Sequence, residues 1–290
     1  MNYRYFKHCI LNFFLIIILG IISVLLSGGL HHIANINGKL VLDINNPDFR
    51  RMNITCNYDE LKAFSDAINA DTGELMLVCC CLNNGEISRT TLNSITKAKY
   101  IKIRNYLIRN QPEQFLQYKQ TYNGILNDMK YFPIPRSNRK KEWVNYVDSW
   151  NNERTYKGNR THEGTDIMGD INKDGIYPVV SVSDGCISSI GWLELGGWRI
   201  GITSPNGIYY YYAHLDSYAK DYKKGDTIKA GDIIGYMGST GYSKVEGTKN
   251  KFPAHLHFGI YILADDTTEV SVNPYNFLKT NENNSLIYSY

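Results

Sequence analysis

Apolar and polar positions follow three different rhythms along this 290-residue chain. Residues 9–30 show no alternation at all: they are dominated by Ile, Leu, Phe and Val and carry no formal charge. As a helix rising ~1.5 Å per residue, this run is long enough to cross a hydrocarbon core of about 30 Å. Arg4 and Lys7 precede it without an acidic residue, and the next formal charge after it is Lys39. That asymmetry predicts residues 1–8 as a cytoplasmic tail, 9–30 as a single transmembrane signal anchor, and the remainder outside the cytoplasm. A cleaved signal peptide, and hence a secreted protein, is the competing reading, because Ser27-Gly28-Gly29 closes the run with small residues. The apolar stretch is longer than the usual h-region of about 7–15 residues, which favours the anchor.

Residues 31–56 read as a polar, irregular spacer rich in Asn and Asp (Asn35, Asn37, Asp43, Asn45, Asn46, Asp48). A helical period then takes over. Leu61, Phe64, Ala67 and Ile68 mark one helix, with Asn57 as its N-cap. Tyr100, Ile103, Tyr106 and Leu107 mark a second, and Phe115, Tyr118, Tyr122, Ile125, Leu126 and Met129 a third that opens at Pro112-Glu113. The spacing predicts a small bundle of three or four helices over 57–130, its aromatic stripes forming the core. Two prolines at Tyr131-Phe132-Pro133-Ile134-Pro135 end the helical period, and a linker with a basic loop (Arg136, Arg139, Lys140, Lys141) covers 131–160.

Beyond it, over 161–280, the chain is strand-like and punctuated by glycine. Residues 198–203 and 208–213 predict two strands joined by a tight turn at Ser204-Pro205-Asn206-Gly207. Lys224-Gly225-Asp226 and Ala230-Gly231-Asp232 mark further turns. The expected fold class is α+β: an N-terminal transmembrane helix, a small helical domain and a C-terminal antiparallel β-sheet domain.

Composition narrows the function. The net charge of +3 is spread thinly, and no basic block is present to neutralise a run of phosphates, so nucleic acid is not an expected partner. Mild basicity suits the neighbourhood of an anionic wall or membrane. Outside the apolar run the cysteines are Cys56, the triplet Cys79-Cys80-Cys81 and Cys186. This odd, clustered set matches neither a disulfide framework nor a CxxC metal knuckle. The triplet sits among Leu75, Leu77, Val78 and Leu82 and reads as packed thiols.

The histidines carry the chemistry. His8, His31 and His32 flank the apolar run, and the other four, His162, His214, His255 and His257, fall in the glycine-punctuated part. His162 opens His162-Glu163-Gly164-Thr165-Asp166, an H-x-x-x-D spacing, and His255-Leu256-His257 is H-x-H. On a strand, positions i and i+2 share a face, so His255 and His257 look the same way, and a strand through 162–166 would bring His162 beside Asp166. Two imidazoles and one carboxylate are an ordinary catalytic ligand set for Zn²⁺, which activates water and polarises a carbonyl. The two remaining histidines are then free to move protons.

Each motif alone is common. Together, in this order, Thr161-His162-Glu163-Gly164-Thr165-Asp166-Ile167, Tyr212-Ala213-His214-Leu215, Gly231-Asp232-Ile233-Ile234-Gly235-Tyr236-Met237-Gly238-Ser239-Thr240-Gly241 and His255-Leu256-His257-Phe258 resemble the lysostaphin/LytM family of zinc metallopeptidases over about 160–275. The resemblance implies a sheet domain of the duplicated-hybrid-motif type and cleavage of the peptide stems or cross-bridges of peptidoglycan. It implies one Zn²⁺ per chain held by His162, Asp166 and His257, with His214 and His255 as the catalytic pair. It also leaves a second reading, since some relatives have lost ligands and serve as inactive wall-binding scaffolds or activators; here all five positions are filled.

Three further features bear on the site. Residues 242–254 form a longer link to the H-x-H motif than the resemblance implies. Asp170-Ile171-Asn172-Lys173-Asp174-Gly175 imitates the start of a calcium loop but has Ser181 where the twelfth-position Glu would stand, so a solvated turn is expected. An H-E-x-x-H zincin is excluded because Asp166 follows His162-Glu163 where a second histidine would be required. If residues 9–30 are an anchor, carbonate extraction should leave the mature chain in the membrane and detergent should release it. N-terminal sequencing that finds a chain starting just after Gly29, free in the medium, would instead establish a cleaved signal.

Overall fold

The computed structural model describes residues 41–290 apart from Asn57, Asn84, Lys157 and Asp266. The apolar run at 9–30 and the expected N-cap at Asn57 lie outside the described residues. Among the described residues no helix is long and apolar enough to cross a membrane.

The helical part contains α1 (Pro47–Arg50), α2 (Tyr58–Ile68), α3 (Thr72–Leu82), α4 (Arg89–Asn93), α5 (Lys97–Asn110) and α6 (Pro112–Asp128), with short strands β1 (Asn53–Ile54) and β2 (Glu86–Ile87) paired in parallel. Local chemistry starts these helices. Asn46, Asp71, Ser88 and Thr96 each accept a backbone N–H from the first turn of α1, α3, α4 and α5, and Pro112 opens α6. The aromatic stripe of α6 is core: Phe115, Tyr118, Tyr122 and Ile125 are buried. The stripe read on α2 is less complete. Leu61 is buried but Ala67 is exposed, and Ser65 takes an inward position, its Oγ donating to the Ala70 carbonyl at 2.7 Å.

Helix α3 is the element that periodicity missed. It is buried on nearly every side, from Gly73 to Cys81, so its sequence shows no polar face and hence no 3.6-residue rhythm. With α3 and α4 included, the described residues of 57–130 hold five helices, where three or four were expected. The cysteine triplet lies on α3, where burial pushes the Cys80 thiol up to about 12 and raises those of Cys79 and Cys81 as well. These are packed, protonated thiols. Residues 43–56, irregular in sequence, nevertheless bury Ile44, Phe49, Met52 and Ile54.

The remaining chain builds an antiparallel sheet. After β3 (Arg136–Ser137) come β4 (Val144–Tyr146), β5 (Glu153–Arg154), β6 (Arg160–Thr161), β7 (Thr165–Gly169), β8 (Pro178–Val180), β9 (Gly185–Leu193), β10 (Gly197–Thr203), β11 (Tyr209–Tyr218), β12 (Thr227–Ile228), β13 (Ile233–Met237), β14 (His255–Leu263) and β15 (Glu269–Val272); α7 (Tyr275–Asn281) and β16 (Ile287–Tyr288) close the chain. The main sheet runs β12-β9-β10-β11-β14-β7-β4, with β13 and β15 branching from β11 and β14, and β8 pairing with β13. The predicted hairpin is β10–β11, and Gly207 supplies the positive φ (80°) of its turn.

Alternation divides the centre of this sheet. On one side Ile200, Ile202, Tyr210, Tyr212, Leu256, Phe258, Ile260 and Ile262 are buried and form the core. On the other stand Arg199, Tyr209, Tyr211, Asp166, His257 and Tyr261, which line a groove. The helical part is tied to the sheet away from that groove wall: Asp128 of α6 accepts from Ser204 Oγ (2.5 Å) and Asn206 Nδ2 (2.7 Å), and Gln117 donates to the carbonyls of Leu263 and Ala264.

One buried carboxylate organises the helices. Glu74 on α3 is 4% exposed and receives Lys119 Nζ (2.7 Å), Tyr100 Oη (2.9 Å) and the Arg104 guanidinium. Burial opposes its ionisation, but the hydrogen bonds from Arg104, Lys119 and Tyr100 outweigh burial and hold the carboxyl below its ordinary range. Its contribution is therefore complete above the unfolded-state value near ~4.3 and is lost as pH falls through the lower folded value. Glu74→Gln should destabilise the chain by about 2 kcal/mol at pH 7. In urea titrations the gap from wild type should narrow below pH ~4; a gap that stays constant down to pH 3 would refute this role.

Candidate metal centre and active-site groove

Three ligand atoms meet at one end of the groove. His162 Nε2, Asp166 Oδ1 and His257 Nδ1 lie 3.0 Å from one another in each pairing. Strands β7 and β14 create two corners of this triangle, because Asp166 and His257 are directly paired in register. His162 arrives by a different route from the single strand expected. It lies outside regular structure, between β6 and β7, and the chain bends at Gly164. A Cβ at Gly164 would stand 2.4 Å from the Phe258 carbonyl and 2.9 Å from His257 Nε2, so only glycine lets this bend approach β14. The spacing therefore brings His162 and Asp166 together through a turn.

Hydrogen bonds assign the ring nitrogens. His162 Nδ1 is 3.0 Å from the Ser149 carbonyl, which can only accept, so Nδ1 carries the proton and Nε2 presents a lone pair to the site. That lone pair faces a carboxylate oxygen and another imidazole nitrogen. Burial pushes the Asp166 carboxyl up, but the two imidazoles beside it outweigh burial and keep it well below the usual carboxylate range, hence ionised. Burial lowers His257, with Asp166 partly offsetting this. The three atoms converge within 3.0 Å, and an N,N,O donor set of this kind suits a divalent ion such as Zn²⁺ in place of a shared proton. His162, Asp166 and His257 form the one such metal-ligating group found among the described residues.

His214 and His255 stand beside the triangle. Their ring centroids are 4.7 Å apart, and His255 Nε2 is 3.8 Å from Asp166 Oδ1. Both present the same nitrogen. Nδ1 of His214 donates to the Thr240 carbonyl (2.7 Å) and Nδ1 of His255 to the Pro253 carbonyl (2.8 Å), leaving each Nε2 free to accept or donate. Burial lowers both pKa values; the neighbouring imidazoles of His255 and His257 add to the effect at His214, which is held well below its ordinary value. His214 adopts a left-handed backbone (φ 61°), unusual for a side chain of this size, where the pairing of β11 with β10 shifts between Tyr212 and Leu215. Its N–H is still satisfied, by the Gly196 carbonyl at 2.8 Å.

Several supporting residues carried no signal in the sequence. Arg154 on β5 donates to Asp166 Oδ2 at 3.0 Å, which leaves Oδ1 for the metal. It belongs to the stretch read as linker, and nothing in its spacing marks it. Phe252, in the long 242–254 link, packs against both His214 (4.7 Å) and His255 (5.0 Å) between ring centroids, and Tyr242 lies 5.8 Å from His214. The Asp170–Gly175 turn has its own structural work. Asp170 accepts from Trp143 N and Asn145 Nδ2, Asn172 from Ala254 N, and Asp174 from Ser239 Oγ. These oxygens bind different parts of the chain, and through Asn172 and Asp174 they pin the segments on either side of the long link.

Residues 160–274 match the family model described as Peptidase family M23. The L-Ala–D-Glu endopeptidase of Bacillus subtilis (strain 168) is 37% identical over 183 residues, which is 62% of this chain and 53% of that protein. The glycyl-glycine endopeptidase ALE-1 of Staphylococcus capitis is 34% identical over 128 residues, 42% of this chain and 32% of that one. The chain thus spans about half, or less, of the length of these curated relatives. A crystal structure from Ruminococcus gnavus ATCC 29149, provisionally assigned as a glycyl-glycine endopeptidase lytM, is 42% identical with a TM-score of 0.70, covering 88% of this chain and 98% of that one.

A Zn²⁺ titration of the metal-stripped protein, followed by elemental analysis, should give about one ion per chain. His257→Ala should lose most of it, whereas Arg154→Ala should keep the stoichiometry and bind roughly 10-fold more weakly, the lower end for removing a group that orients a ligand. Full metal retention by His257→Ala would disprove the ligand set.

Proposed function

The chain belongs to peptidase family M23, and from that premise we propose that it is a zinc-dependent endopeptidase that hydrolyses peptide bonds of peptidoglycan. The observation that carries the reading is the cluster in which, among the described residues, His162, Asp166 and His257 converge with His214 and His255 packed beside them and fixed through Nδ1. The L-Ala–D-Glu and glycyl-glycine bonds named for the relatives are the two candidates for cleavage.

When bound by His162, Asp166 and His257, Zn²⁺ supplies Lewis-acid activation of a water molecule and of the scissile carbonyl. The protein's own groups do the rest. Asp166 stays ionised and its second oxygen is occupied by Arg154, so the carboxylate is oriented before substrate arrives. Of His255 and His214, both neutral and fixed through Nδ1, one receives the single released proton at Nε2 and returns it to the leaving amine. While protonated, that imidazolium N–H stabilises charge developing on the carbonyl oxygen. The walls of Phe252 and Tyr242 hold these rings in place and keep water from their faces. An inactive scaffold would need neither the free Nε2 atoms nor the Arg154 brace.

The anchored reading of residues 9–30 complements this chemistry, because a membrane tether would confine wall cleavage to bonds within its reach. Purified peptidoglycan incubated with the zinc-loaded protein should release peptide fragments identifiable by mass spectrometry. His214→Ala and His255→Ala should retain zinc and lose activity by about 10² or more. Wild-type turnover in either variant would remove that residue from the mechanism, and no release by the wild type would favour the scaffold.

A further inference from the structure

The groove extends beyond the metal triangle, with a volume of about 380 Å³. Its floor is aromatic. Tyr211 lies edge-on to His257 at 6.0 Å, Tyr261 follows at 6.2 Å from Tyr211, and Tyr209 is 5.9 Å from Tyr261. The floor closes only because β10 carries glycine at 201, where a Cβ would stand 2.0 Å from the Tyr209 hydroxyl. Arg199, two positions earlier on the same face of β10, lines this groove.

Register gives its distance from the reacting centre. Ala213 of β11 pairs with His257, and Arg199 falls at the irregularity where Trp198 pairs with Leu215 and Ile200 with Tyr212. Arg199 is thus rooted two strand spacings from His257, roughly 10 Å at ~4.8 Å per spacing, or about three residues of extended peptide.

One nitrogen of its guanidinium is left unsatisfied. Nη1 is buried and has no hydrogen-bond partner among the described residues. Two carboxylates line the same groove, Glu163 and Glu269. Glu163 accepts from the Tyr261 hydroxyl at 3.4 Å, and among the described residues neither forms an ion pair with Arg199. Arginine is charged at every physiological pH, and a shielded, charged donor without an acceptor is an unstable arrangement to maintain unless something else supplies one.

We propose that Arg199 is a specificity-determining residue that pairs with a carboxylate of the peptide substrate, carried within about three residues of the bond cleaved. The proposal rests on the peptidase reading of the groove. The planar guanidinium matches a carboxylate through two parallel N–H···O bonds, and the tyrosine floor shields that pair from water. A peptide with an acidic residue near the scissile bond satisfies Arg199. A run of glycines brings no side-chain carboxylate and leaves it unpaired.

The test uses zinc-loaded full-length protein and three probes: a stem peptide containing L-Ala–D-Glu with its free carboxylates, the same peptide with those carboxylates converted to primary amides, and pentaglycine. Wild type should favour the acid over its amide by about 10- to 100-fold in kcat/KM, the scale of one charge-assisted pair. Arg199→Gln should collapse that ratio to near one, and Arg199→Lys should restore part of it. Equal wild-type rates on acid and amide, preferred cleavage of pentaglycine, or an Arg199→Gln variant that keeps the ratio would each overturn the proposal. If the wild type cleaves none of the three, the peptidase reading fails instead. Calorimetric titration of the acid and amide peptides then decides the subsite: tighter binding of the acid that Arg199→Gln abolishes supports it, and equal Kd values refute it.

Discussion

Strand β14 imposes the constraint on which the rest depends. Its side chains must alternate between two faces, so Leu256, Phe258, Ile260 and Ile262 enter the core while His255, His257 and Tyr261 take the opposite face, the last two lining the groove. Burial of each large apolar side chain contributes about 1.5–3 kcal/mol. A slip of one residue would exchange the two sets, exposing the apolar residues and burying the imidazoles. The register that pairs His257 with Asp166 on one side and Ala213 on the other is therefore held by the core. Stability and site geometry share one cause.

The site itself is made rigid from its periphery. Each of His162, His214 and His255 gives its Nδ1–H to a backbone carbonyl, so ring orientation and tautomer are set by the main chain. Those carbonyls, of Ser149, Thr240 and Pro253, lie outside the regular strands and are held in turn by other contacts. The Asp170–Gly175 turn does this for two of them, binding Ser239 next to Thr240 and Ala254 next to Pro253. The left-handed backbone at His214 is a local strain that the neighbouring hydrogen bonds maintain. A groove that is finished before substrate binds loses little free energy to reorganisation.

The helical part has a different logic. Its centre is the apolar helix α3, and its charged exception, Glu74, is neutralised by three donors from α5 and α6. Helix α6 reaches the sheet at the β10–β11 turn and past the end of β14, so it braces the strands that carry Arg199, His214 and His257 without lining the groove. This places the helices in a supporting position, with the candidate site residues outside them.

What the sequence determined by itself was whatever depends on near neighbours. Period two and the Asn206-Gly207 turn specify the β10–β11 hairpin, period 3.6 specifies α5 and α6, and i, i+2 geometry sets His255 and His257 on one face. The motifs that hold the five polar residues were equally legible through their resemblance to a known family, and the fold brings those side chains together. Tertiary structure decided whatever required distant segments to meet. Helix α3 had no readable face because it is enclosed, and the contribution of residues 43–56 to the core followed no period. The path of His162 through the Gly164 bend, the Arg154 brace on Asp166, the Phe252 wall and the unpaired Arg199 arise from contacts between segments far apart in the chain or on neighbouring strands. A one-dimensional pattern records which faces a residue can occupy, and only the folded chain records what stands opposite.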